Sequence, residues 1–112
     1  MSKSQLKTAI IVLGLATALI HAYLNVRLGR LDIPFTLNAL GYLALTIAIA
    51  RPLPMLVGKE KLVHYAFMGF TVVTIVAWLA LGNKSDLLGI VDKVIEVLLL
   101  VALWLHLKAV ER

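Results

Sequence analysis

Four apolar runs, each close to the length that crosses a bilayer, take up most of this 112-residue chain. They cover residues 6–28, 34–50, 62–82 and 87–107. A spanning helix needs roughly 20 residues, within about 17 to 25. Lipid offers no partners to backbone N–H and C=O groups, so such runs must be helical. Hydrophobic residues make up 62% of the chain and charged ones 15%. A soluble domain is nearer half apolar and about a quarter charged. The expected fold is all-α: one transmembrane domain over 1–112, a four-helix bundle.

The punctuation between the runs agrees. Gly29 closes the first helix, and Pro34 suits the first turn of the second. Arg51, Pro52 and Pro54 stop the second. Gly82, Asn83, Ser85 and Asp86 make the last turn, with Ser85 or Asp86 available as N-cap. Short connections predict antiparallel neighbours, up-down-up-down. No repeat or low-complexity tract interrupts the pattern.

Lysine and arginine set the orientation. Lys3, Lys7, Arg51, Lys59, Lys61, Lys108 and Arg112 fall at one side; Arg27, Arg30, Lys84 and the inset Lys93 fall at the other. The richer side is expected to be cytoplasmic, with both termini inside and the cell membrane as location. The net charge of +5 is spread over helix ends, so it marks topology and not nucleic-acid binding. The basic, partly apolar loop RPLPMLVGKEK from Arg51 to Lys61 is read the same way, although it would also attract anionic lipid. Two lysines, an apolar run, Ala16 and Ala18 loosely imitate a signal peptide, but the run is too long, so an uncleaved first helix is expected. Trp78, Tyr65 and Trp104 suit interfacial positions.

Asp92, Lys93 and Glu96 break the fourth run. Ionisable groups at such depth are costly and usually face a bundle interior. Residues three and four apart share a helix face. Gly14, Thr17, His21 and Asn25 make one stripe, Asn38, Gly41, Tyr42, Leu45 and Ala48 a second, and Asp92, Glu96, Leu99, Leu103 and His106 a third. Small and polar residues mark such interfaces. At about 1.5 Å per residue, His21 lies about 10 Å, Asn38 about 6 Å, Tyr42 about 12 Å, Asp92 about 7 Å and Glu96 about 13 Å below the outer ends of their helices. The expected site is therefore one outer-half cluster of Glu96, Asp92, Lys93, His21, Asn25, Asn38 and Tyr42. Burial makes charge on Glu96 costly unless Lys93 or His21 offsets it. Such a cluster can hold a proton, a cation or a polar headgroup. The bland alternative is a network that only fixes helix register.

His64 and His106 share a depth near the other face. Two imidazoles placed so can ligate haem from opposite sides, which makes a haem-binding electron carrier an alternative. The plainer reading is a solvated or hydrogen-bonded pair. No C-x-x-C-H is present, so covalent haem is excluded. Cysteine is absent, which excludes disulfides, thiolate catalysis and iron–sulfur clusters. No G-x-S-x-G, H-E-x-x-H or phosphate-binding glycine loop occurs, and an enzyme is not expected.

Length and helix count resemble the small multidrug resistance transporters, but that family carries an acid in its first helix where this chain has His21. The stretches HAYLNVRLG from His21, LNALGYLAL from Leu37 and GIVDKVIEVLLLVAL from Gly89 resemble small four-helix integral membrane proteins of archaea and bacteria. That resemblance implies four helices and a membrane location, and no activity. The expected function is a small multi-pass membrane protein with a buried polar site and no other cofactor. Its partners would be lipids and other copies or membrane subunits. A purely structural subunit is the alternative.

Overall fold

A computed structural model describes residues 2–29, 32–51, 59–82 and 85–111. Four helices carry nearly all of them: α1 (Lys3–Leu28), α2 (Ile33–Ala50), α3 (Glu60–Leu81) and α4 (Leu87–Glu111). There are no strands among the described residues. The helices are slightly longer than the apolar runs because their first and last turns recruit polar residues. Ser2 caps α1 by accepting from the Gln5 N–H at 3.1 Å, while its own N–H donates to Gln5 Oε1 at 2.9 Å. Gly29 ends α1 in the left-handed region at φ 73°, donating to the Asn25 and Val26 carbonyls. Only glycine takes that conformation without strain.

Asp32 accepts from Phe35 N–H at the start of α2, with Pro34 in the first turn. Of the two caps the sequence offered for α4, Asp86 accepts from the Leu88 N–H at 3.2 Å. The loop Pro52–Gly58 and the cations Arg30 and Lys84 lie outside the described residues.

The helices form a ring in which α1 packs on α2 and α4, and α3 packs on α4 and α2. Close approach follows from small residues. A side-chain carbon at Gly14 would collide with Thr46, and one at Gly41 with Phe70. Ile10, Tyr42, Phe67, Leu99 and Leu103 fill the centre. The outward surface is apolar, with Leu19, Val26, Val73 and Val94 all more than half exposed. Apolar side chains thus cover the outside as well as the centre, as suits a bundle solvated by a bilayer.

Three helices, α1 to α3, are long and apolar enough to cross a membrane. α4, expected to span as well, is not among them; it is 25 residues long and carries Asp92, Lys93 and Glu96 within its apolar stretch. All three of these point inward and are buried.

Candidate functional site

The Asp92–Glu96 stripe of α4 faces His21 and Thr17 of α1 and Tyr42 of α2. Glu96 is fully buried, Asp92 is 2% exposed and His21 3%. Lys93 reaches round its own helix to Glu96 Oε1 at 2.7 Å and to Asp92 Oδ2 at 3.3 Å. Its ammonium also lies 6.0 Å from the centre of the Trp78 ring on α3. The Tyr42 hydroxyl donates to Glu96 Oε2 at 3.0 Å. Thr17 Oγ1 donates to Asp92 Oδ1 at 2.6 Å and lies 3.1 Å from Glu96 Oε2. One hydroxyl has one proton, so the shorter contact takes it.

His21 is fixed on three sides. Its ring stacks on Tyr42 at 5.7 Å and meets the edge of Phe35 at 6.4 Å. Nδ1 lies 2.8 Å from the Thr17 carbonyl. A carbonyl only accepts, so Nδ1 carries the hydrogen and Nε2 of the neutral ring presents a lone pair. That lone pair faces Asp92 Oδ2 at 3.5 Å and Glu96 Oε2 at 4.0 Å. A charge-assisted N–H···O contact would close to about 2.7–2.9 Å. Three lone-pair atoms therefore converge, each within 4.8 Å of the others, beside a single ammonium.

The structure thus brings together five of the seven residues expected from sequence: Glu96, Asp92, Lys93, His21 and Tyr42. It does not bring in Asn25 or Asn38 directly. Asn25 donates to Thr36 Oγ1 at 2.9 Å and accepts from the Asp32 N–H at 2.8 Å, tying the α1–α2 turn. Asn38 accepts from Thr74 at 2.7 Å and donates to the Pro34 carbonyl. It reaches the cluster only at second hand, because Thr71 and Thr74 adjoin the Tyr42 hydroxyl. Nearer partners on their own turn or neighbour helix take the amides of both asparagines.

Thr17 is the residue the sequence reading left out of the site. Its place on the stripe with Gly14 and His21 is the signal for it in the sequence, although a small hydroxyl there also suits packing. Among the described residues, Thr46 Oγ1 is the one buried side-chain polar atom without a partner.

At the far end of the bundle, His64 and His106 stack at 5.0 Å with Nε2 and Nδ1 2.7 Å apart. His64 Nδ1 lies 2.6 Å from the Glu60 carbonyl, so it donates there and its Nε2 accepts from His106. The two rings touch, leaving no gap for an iron between those nitrogens. Haem ligation from opposite sides does not fit this arrangement. Beside them lies a cavity of about 160 Å³ whose lining includes Lys7, Ile49, Glu60 and Val110.

Arg27 pairs with Asp86 near the α1 and α4 ends opposite that cavity. The guanidinium's hydrogen bond holds the Asp86 carboxyl below the usual carboxylate range. Comparison of the chain with family models, curated proteins and solved structures finds no match.

Proposed function

We propose that this chain is a small multi-pass membrane protein whose buried cluster takes one positive charge from water, as a proton or a cation. The observation that carries the reading is the convergence of the His21 Nε2 lone pair on two buried carboxylates that share one ammonium. With His21 neutral the site is one positive charge short, and an unbalanced buried charge is strongly unfavourable. Groups from three helices surround Glu96: Thr17 and His21 on α1, Tyr42 on α2, and Asp92 and Lys93 on α4. Trp78 and the Thr71–Thr74 face of α3 close the fourth side.

The bundle is up-down-up-down in this reading. Lys7 near the start of α1, Ile49 near the end of α2, Glu60 at the start of α3 and Val110 near the end of α4 share one cavity, which supports it. The lysine and arginine bias then places both termini on the cytoplasmic side and the cluster in the outer half of the cell membrane. The outward apolar faces contact lipid and other copies or membrane subunits.

The test is thermal unfolding of the whole chain in mild detergent. Wild type should change in melting temperature between about pH 5 and 8, the range in which a histidine-containing site exchanges protons, or on adding cations at fixed pH. Glu96→Gln leaves Asp92 and Lys93 balanced and should be flat to both. A wild type indifferent to pH and cations alike makes the cluster a register device only.

A further inference from the structure

The cluster's open lone pairs identify which cation the site is shaped for. Tyr42 and Lys93 occupy one lone pair on each Glu96 oxygen, and Thr17 occupies Asp92 Oδ1. Asp92 Oδ2 has the long 3.3 Å contact with Lys93 and faces His21 Nε2 at 3.5 Å. His21 Nε2 faces Asp92 Oδ2 and Glu96 Oε2, and the three residues each offer a ligand atom within 4.8 Å of the others. We infer that these three atoms form a site for one divalent first-row transition ion of the zinc class, which binds in exchange for the Lys93 ammonium. The inference rests on the reading above and names its occupant.

Three features support it. Bonds of about 2.0–2.2 Å in a tetrahedral site put neighbouring ligand atoms ~3.3–3.6 Å apart. The His21–Asp92 separation of 3.5 Å falls within this range, and the His21–Glu96 separation of 4.0 Å is slightly wider. The His21 ring donates its other N–H to the Thr17 carbonyl at 2.8 Å, the outer contact that orients most metal-bound imidazoles. One imidazole nitrogen with two carboxylate oxygens, and no sulfur, suits zinc, manganese or iron better than magnesium or calcium, which favour all-oxygen shells.

Charge then requires the exchange. A divalent ion alone neutralises the two carboxylates, so the ammonium becomes surplus beside it. Lys93 has a place to go. Its side chain is 11% exposed, its stem is long enough to snorkel, and the Trp78 ring face lies 6.0 Å from its ammonium, where a cation is attracted. In the ion-free state Lys93 stands in for the metal; in the bound state it would pack on Trp78.

The experiment titrates the whole chain in detergent at fixed neutral pH with zinc, manganese and magnesium chlorides, reading stoichiometry by calorimetry and melting temperature. Expected are one zinc or manganese ion per chain with a raised melting temperature, and no such response to magnesium. His21→Phe and the milder Asp92→Asn should weaken binding. His106→Phe should leave it unchanged, which separates this site from the far-end imidazoles. Lys93→Met is decisive: it should bind zinc about tenfold tighter or more, a coupling of ordinary size, and regain on binding the stability it lacks without metal. An ordinary structural ion pair predicts no such rescue.

Absence of stoichiometric binding, full binding by His21→Phe, or equal or weaker binding by Lys93→Met overturns the inference. If zinc fails while Glu96→Gln still flattens the wild-type pH response, the one-charge reading stands with a proton as occupant. If both fail, both readings fall.

Discussion

Two buried histidine sites occupy opposite ends of this bundle, and they are built on the same local device. In α1 and α3 alike, a histidine Nδ1 lies against the carbonyl four residues earlier, Thr17 for His21 and Glu60 for His64. That contact fixes the tautomer and aims Nε2 across the bundle. What Nε2 meets is different. His64 meets an N–H donor on His106 at 2.7 Å, and the pair closes on itself. His21 meets two carboxylate oxygens at 3.5 and 4.0 Å, and with its ring neutral, as proposed, the group stays short of one positive charge. Equal burial thus yields a satisfied structural contact at one end and, in the reading proposed above, an acceptor site at the other. The partner across the interface decides which.

The largest expected break in this contrast comes from Lys93→Met without metal. It strands two buried carboxylates, and losing one partner of a buried ion pair costs about 3–5 kcal/mol. Thermal unfolding in detergent should show a fall of that order, and adding Glu96→Gln to the same chain should recover much of it. Additive losses would mean that charge balance does not govern the site.

Tyr42→Phe comes next. It removes a hydroxyl donor to a charged acceptor, worth about 1.5–3 kcal/mol, and should also loosen the His21 ring stacked on it. A melting temperature equal to wild type would remove Tyr42 from the cluster. At the far end, His106→Phe keeps an aromatic ring against His64 and should cost about 1–3 kcal/mol by stranding one polar atom. A response to zinc altered by that change would erase the distinction between the two ends.

The smallest effect belongs to Asp86→Asn. The Arg27 partner lowers the Asp86 carboxyl from its usual range. Its stabilising contribution is therefore present above the ordinary carboxylate range and is lost as pH falls through the lowered value. The pair is exposed and screened, so a slight loss at low salt and neutral pH should vanish at high salt. Persistence at high salt would show a buried pair instead.

The helices themselves were legible because each follows from length, apolarity and end signals such as Gly29, Pro34 and Asp86. Asp92, Glu96, His21 and Tyr42 were legible because helical spacing puts them on inward stripes at matching depth. Asn25 and Asn38 show the limit of depth alone. Their spacing suggests the right height, but the Asp32 backbone, Thr36 and Thr74 take their amides, and a hydrogen bond goes to the nearest suitable partner. Thr17 shows the reverse error, since its hydroxyl becomes chemical only when α4 supplies Asp92.

By itself the sequence determined the number of helices, their approximate ends, and the inward turn of the charged face of α4. Local hydrogen bonding and the cost of charge in an apolar medium act within single segments, and this chain displays both. Only the tertiary structure decided that His21 points a lone pair at two acids while His64 meets a donor. That outcome depends on rotation of each helix about its axis, which close approach at Gly14 and Gly41 helps set and no single segment encodes.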